Sequence, residues 1–101
     1  MTYVKVFSMQ DLSPGEMKGV EANGKQLLLV NIAGKYYAIG DICTHMTCNL
    51  SRGSIKGESV VCPCHFSVFD LKTGSVLGGP ASKPEPTFKV KIEKGNVLVD
   101  L

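Results

Sequence analysis

Read for the alternation of apolar and polar positions, the chain divides into short strands separated by turn residues. TYVKVF (2–7) alternates with period two, the pattern of a strand with one buried face. The longest apolar run, Leu27 to Ile32 with Asn31 inside it, has the length of a strand. Asn23-Gly24 precedes it and separates two candidate strands; both residues tolerate the positive φ of a type I′ turn. Ala33-Gly34-Lys35 repeats the logic and leads into Tyr36–Ile39. TFKVKI and NVLVDL alternate on either side of Glu93-Lys94-Gly95, which places Val90, Ile92, Val97 and Val99 on an inward face. One helical turn is expected near Gln10–Leu12, ended by Pro14. The pattern predicts an all-β sandwich or barrel.

Residues 40–86 depart from this pattern. They are rich in Gly, Ser, Pro and Cys, with short strand candidates at Ser59–Val61 and Ser67–Phe69. They read as loops inserted into the β scaffold, and such loops hold position only if something ties them down.

Composition narrows the function. The chain has 101 residues, one domain by size, and domains this small are often helped by a metal or a cross-link. A net charge of +2 with both signs interspersed argues against nucleic-acid binding and offers no steering patch that would identify a partner. No apolar run approaches the roughly 18–20 residues that span a bilayer, so no membrane anchor is expected. The alternating N-terminus does not read as a signal peptide, which makes the cytoplasm the expected compartment. Reducing cytoplasm disfavours structural disulfides, so the four cysteines read first as metal ligands.

The thiols and imidazoles are concentrated. All four cysteines and both histidines fall between Cys43 and His65, in CTHMTC (43–48) and CPCH (62–65). The pattern is C-x-H-x16-C-x-x-H. Each loop offers a soft thiolate and an imidazole, donors that suit iron–sulfur clusters, zinc and iron. Three readings follow from the residues alone: a 2Fe–2S centre with thiolates on one iron and imidazoles on the other, a tetrahedral structural zinc, or unrelated buried cysteines and surface histidines. Zinc modules prefer C-x(2–4)-C and H-x(3–5)-H pairs, whereas here each pair mixes Cys with His.

The motif, together with HFSVFDLKTGSVLGGPASKPEP, resembles the Rieske-type ferredoxins over essentially the whole chain. The resemblance implies an antiparallel β-sandwich with an inserted cluster-binding subdomain over about Asp41–Pro80. It implies one 2Fe–2S cluster, with Cys43 and Cys62 on one iron and His45 and His65 on the other. Two neutral imidazoles in place of thiolates make electron uptake easier, and such centres span roughly −150 to +300 mV against about −400 mV for plant-type ferredoxins. Ser67 matches a serine whose hydroxyl bonds to the cluster in high-potential respiratory Rieske proteins. Phe69 stands where those proteins have a tyrosine, which points to the lower half of that window. Pro80 shapes a third covering loop, and Met46 lies against the cluster or packs within its own loop. Cys48 and Cys64 match a disulfide of the respiratory branch that many soluble ferredoxins lack; the rival is a pair of buried free thiols.

The function implied is a soluble one-electron carrier, not an enzyme and without catalytic residues of its own. A reductase would be the donor and an oxygenase or other oxidoreductase the acceptor. Two other readings stand beside it: a small Rieske subunit fixed in a larger oxidoreductase, and a zinc-stabilised interaction module.

Overall fold

A computed structural model describes residues 2–44 and 47–101. It contains three antiparallel sheets. The first is built from β1 (Tyr3–Ser8), β11 (Asn96–Asp100) and β10 (Val90–Glu93), in that order. The second has the order β2 (Met17–Ala22), β3 (Lys25–Ile32), β4 (Lys35–Gly40), β9 (Thr87–Phe88). The third is made of four three-residue strands in sequence order: β5 (Ser54–Lys56), β6 (Ser59–Val61), β7 (Val68–Asp70) and β8 (Val76–Gly78).

The turns are those the sequence predicts. Asn23 and Gly24 take φ of 50° and 75°, and Ala22 pairs directly with Lys25. Ala33-Gly34 and Lys94-Gly95 repeat this two-residue geometry between Ile32 and Lys35 and between Glu93 and Asn96. All three loops use positive φ at both positions, which matches the twist of the flanking strands. A 3₁₀ turn at Met9–Asp11 is closed by a capping box in which Ser8 and Asp11 exchange side-chain bonds, and it ends before Pro14.

The apolar run in β3 has a structural cause. Because strand side chains alternate, Leu27 and Leu29 join Phe7, Leu12, Ala38, Val97 and Val99 in a core shared with the first sheet. Leu28 and Val30 face the other way, into a second core with Ile39, Leu50, Val60, Phe69, Leu71, Cys43 and Cys62. The second sheet is thus the middle of three layers, and β3 is buried on both faces. Asn31, also buried, keeps its polar atoms satisfied: its Nδ2 donates to the Leu12 carbonyl at 2.9 Å and its Oδ1 accepts from the Gly34 N–H at 2.8 Å.

Two expectations need correction. Alternation predicts Ile92 inward, but β10 is an edge strand and Ile92 is 43% exposed, while Val97 and Val99 on β11 are fully buried. The 40–86 region is more than loops, since it carries the whole third sheet. Its strands are too short for a visible alternation, and β5 and β8 left no signal in the sequence. Among the described residues no helix is long and apolar enough to cross a membrane.

Candidate metal centre

Two loops of like construction meet at this site. In the first, the Cys43 N–H donates to the Cys48 carbonyl at 2.8 Å; in the second, the Cys62 N–H donates to the Ser67 carbonyl at 2.8 Å. Both are i to i+5 closures that begin on a cysteine. The first loop is anchored at its base by buried Asp41. Its Oδ1 accepts the Ser51 N–H (2.8 Å), and its Oδ2 accepts Ser51 Oγ (3.0 Å) and Asn49 Nδ2 (2.8 Å). The second loop forces Phe66 to a φ of 62°, a left-handed conformation that a bulky residue adopts only when its surroundings impose it.

The four cysteines divide into two pairs. Cys48 and Cys64 form a disulfide that joins the loops, with Cα atoms 6.5 Å apart. Cys43 and Cys62 are free and buried, at 3% and 0% exposure. The cross-link is the Cys48–Cys64 pair that the family resemblance implies, and it leaves Cys43 and Cys62, rather than all four cysteines, as free thiols. Free Cys43 and Cys62 interact with each other, and the backbone N–H groups of Cys64 and His65 point at the Cys62 sulfur. Burial pushes the Cys62 thiol up, those N–H groups pull it down, and neighbouring Cys43 pushes it up again. The Cys62 thiol therefore resists ionisation unless a bound cation balances the charge. This donor pair, with N–H groups aimed at sulfur, fits the thiolate side of a 2Fe–2S cluster.

On the imidazole side, His65 is exposed and directly follows exposed Cys64. His45 and Met46 lie outside the described residues, so their expected roles have no geometry here.

A third segment covers the loops. The Ala81 N–H donates to Ser67 Oγ at 3.1 Å, and Ser67 is fully buried. Gly79 has φ +84°, and a Cβ there would stand 2.5 Å from the Ser67 Cα, so only glycine permits this approach. Pro80 beside it is exposed, and Phe69 is fully buried in the core that also holds Cys43 and Cys62. Thr44 Oγ1 donates to the Lys83 carbonyl at 2.6 Å, and the Thr44 N–H bonds to Glu85. Glu85 is 4% exposed, and its Oε2 has no hydrogen-bond partner among the described residues. Burial, helped by the Asp41 carboxylate, pushes its pKa up to about 7 against the pull of the Thr44 N–H.

Sequence reasoning missed Asp41, Thr44, Glu85 and Phe66. Nothing in the local sequence marks Asp41, Thr44 or Glu85, because each acts through partners elsewhere in the chain. Phe66 was accessible in principle: a large apolar residue wedged between a histidine and a buried serine is poorly placed for a core, and its ring is 70% exposed.

Known proteins of this architecture share the whole chain. The Rieske [2Fe-2S] domain model matches residues 2–91. The ferredoxin component of biphenyl 2,3-dioxygenase from Rhodococcus jostii (strain RHA1) is 39% identical over 101 residues, covering 100% of this chain and 94% of that one. The solved ferredoxin of carbazole 1,9a-dioxygenase from Nocardioides aromaticivorans IC177 superimposes with a TM-score of 0.93 at 28% identity, covering 98% of this chain and 97% of that one. The ferredoxin in a complex of reduced oxygenase and oxidised ferredoxin of carbazole 1,9a-dioxygenase gives a TM-score of 0.90 at 32% identity, covering 96% of this chain and 91% of that one. Matched along nearly its full length in both sequence and fold, the chain belongs to the Rieske [2Fe-2S] domain family.

Proposed function

We propose that the single 2Fe–2S cluster of this chain is held by Cys43 and Cys62 on one iron and by His45 and His65 on the other, and that the protein carries one electron at a time between redox partners. When bound, the cluster supplies a reversible one-electron couple. The observation that carries the assignment is the division of the cysteines: two are locked together at the loop tips, and the two left free are buried side by side. The protein binds the centre, shields its sulfur side, and leaves its imidazole side near solvent. Ser67 Oγ already accepts the Ala81 N–H, so its own proton is available to donate to cluster sulfur. The chain forms one domain over 1–101, with the cluster-binding part at about 41–80 and the segment up to Glu85 packed against it.

The chain is an electron-transfer protein rather than a catalyst. A reductase donates and an oxygenase accepts, in keeping with the biphenyl dioxygenase component and the carbazole dioxygenase complex. Exposed Phe66 next to His65, and exposed Leu77, supply apolar surface for docking where the imidazole is most accessible. Cytoplasmic location fits a carrier of this kind.

The test is EPR of the dithionite-reduced protein with iron and sulfide analysis. Two irons and two labile sulfides per chain are expected, with the spectrum lost in Cys62→Ser and His65→Ala. Zinc in place of iron, or an unchanged spectrum in either variant, overturns the assignment.

A further inference from the structure

Three sulfur atoms gather at the junction of the two loops. The Sγ atoms of Cys48, Cys62 and Cys64 all lie within 4.8 Å of one another. Cys48 and Cys64 are bonded together, and Cys62 is a free thiol. The disulfide is open to attack, because Cys64 is exposed and Cys48 half-buried. Tetrahedral zinc with Zn–S bonds of about 2.3 Å holds its sulfurs about 3.8 Å apart. Disulfide sulfurs are bonded to each other and bind metals poorly. Once opened, two thiols at contact distance, with Cys62 beside them, have the spacing a soft divalent cation requires.

We propose that reduction of the Cys48–Cys64 bond by a dithiol converts the junction into a three-thiolate site for a soft cation such as Zn²⁺, and that the disulfide keeps Cys62 reserved for the cluster. This rests on the reading of Cys62 as a cluster ligand. One thiolate of the dithiol attacks the exposed Cys64 sulfur, and Cys48 leaves as a thiolate. The second thiol then displaces Cys64 and closes the reductant's own disulfide. Two electrons and two protons pass from the dithiol to the chain's two sulfurs. Zinc binding to Cys48, Cys62 and Cys64 releases their protons to solvent, and water fills the fourth position. Cys62 cannot serve zinc and iron together, so zinc capture removes a cluster ligand. The cross-link therefore does more than tie two loops: it withdraws two competing ligands from a soft-metal site that would otherwise exist beside the centre.

The experiment uses the full-length cluster-loaded protein under anaerobic conditions, with and without dithiothreitol, and with Zn²⁺ alone as the probe. Visible absorption follows the cluster, and metal analysis after desalting counts retained zinc. In the reduced protein, zinc is expected to speed bleaching roughly tenfold and to remain at about one per chain; in the oxidised protein it should do neither. The Cys48→Ser/Cys64→Ser variant lacks both the tie and the competing sulfurs, so zinc should neither speed its bleaching nor be retained. Retention by that variant equal to the reduced wild type, or no retention by the reduced wild type, overturns the proposal. Should the variant fail to fold, Cd²⁺ titration of the reduced wild type decides: sulfur-to-metal charge-transfer absorption worth three thiolates per metal supports the site, and two or fewer overturns it. Absence of a 2Fe–2S EPR signal in the untreated protein would instead sink the cluster assignment, independently of the zinc result.

Discussion

At the residue scale, Phe66 and Glu85 each hold an unfavourable arrangement beside the centre. Phe66 combines φ 62° with a ring that is 70% exposed, so its conformation is unfavourable and its side chain buries little, although its N–H donates to the Cys62 carbonyl at 3.1 Å. Left-handed backbone costs a non-glycine residue roughly 1–2 kcal/mol, so Phe66→Gly should raise stability by up to about 1 kcal/mol in chemical denaturation. The same variant should slow electron delivery to the acceptor in stopped-flow measurements if the ring is a docking contact. Unchanged transfer would make the strain purely structural. Glu85 carries a pH signature. Its pKa is raised from 4.5 to about 7 in the folded chain, so the folded state binds its proton more tightly than the unfolded state does. The associated stability is complete below about pH 4.5 and is lost as pH rises to about 7 and beyond. The thermal midpoint should fall between pH 5 and 7.5, and Glu85→Gln should flatten that slope. An equal slope in the variant would assign the effect to another group.

At the element scale, the loops depend on the cross-link more than on secondary structure. The four strands of the third sheet have only three residues each, and the exposed ion pair of Lys72 with Glu58 at 3.1 Å adds little. The Cys48–Cys64 bond closes a loop with a sequence separation of 16. In the chain-entropy model this is worth roughly 3 kcal/mol, so Cys48→Ser/Cys64→Ser should lower unfolding stability by about that amount in denaturant titration. The elements of the scaffold were legible in the sequence: β1, the three two-residue turns and β11 follow from alternation and positive-φ residues. Of the third sheet, β6 and β7 match the strand candidates at Ser59–Val61 and Ser67–Phe69, whereas β5 and β8 were not visible in the sequence. Three-residue strands are shorter than the window over which periodicity can be read. Edge position also escaped the sequence, since Ile92 alternates correctly with Val90 but no strand or layer covers it.

At the scale of the whole molecule, the three layers divide the work. The middle sheet supports one core shared with the first sheet and another that contains the two free thiols. On the proposed ligand set, the thiols Cys43 and Cys62 are buried while His65 is exposed. Reduction adds negative charge, and an imidazole that keeps a second ring proton should then hold it more tightly. The midpoint potential is expected to be flat at low pH and to fall as pH rises through the imidazole pKa values of the oxidised state. With Phe69 buried in the core and lacking a hydroxyl, its plateau should lie in the lower half of the roughly −150 to +300 mV range. Protein-film voltammetry across pH tests both statements. A value near +300 mV, or a potential that stays constant into strongly alkaline solution, would refute them.

The sequence by itself determined the strand-and-turn scaffold and the ligand motif, because both are written in local spacing: period two, positive-φ dipeptides, and a C-x-H and a C-x-x-H that each sit within one loop. The residues alone left open how the four cysteines divide, since pairing depends on which sulfurs the loops bring within reach; only the family resemblance pointed to Cys43 and Cys62 as ligands and to Cys48–Cys64 as the cross-link. Only the tertiary structure joined Cys48 to Cys64, buried Cys43 beside Cys62, and set Glu85 against Thr44. Those are contacts between residues 16 to 41 positions apart, fixed by how three layers stack rather than by any stretch of the chain alone.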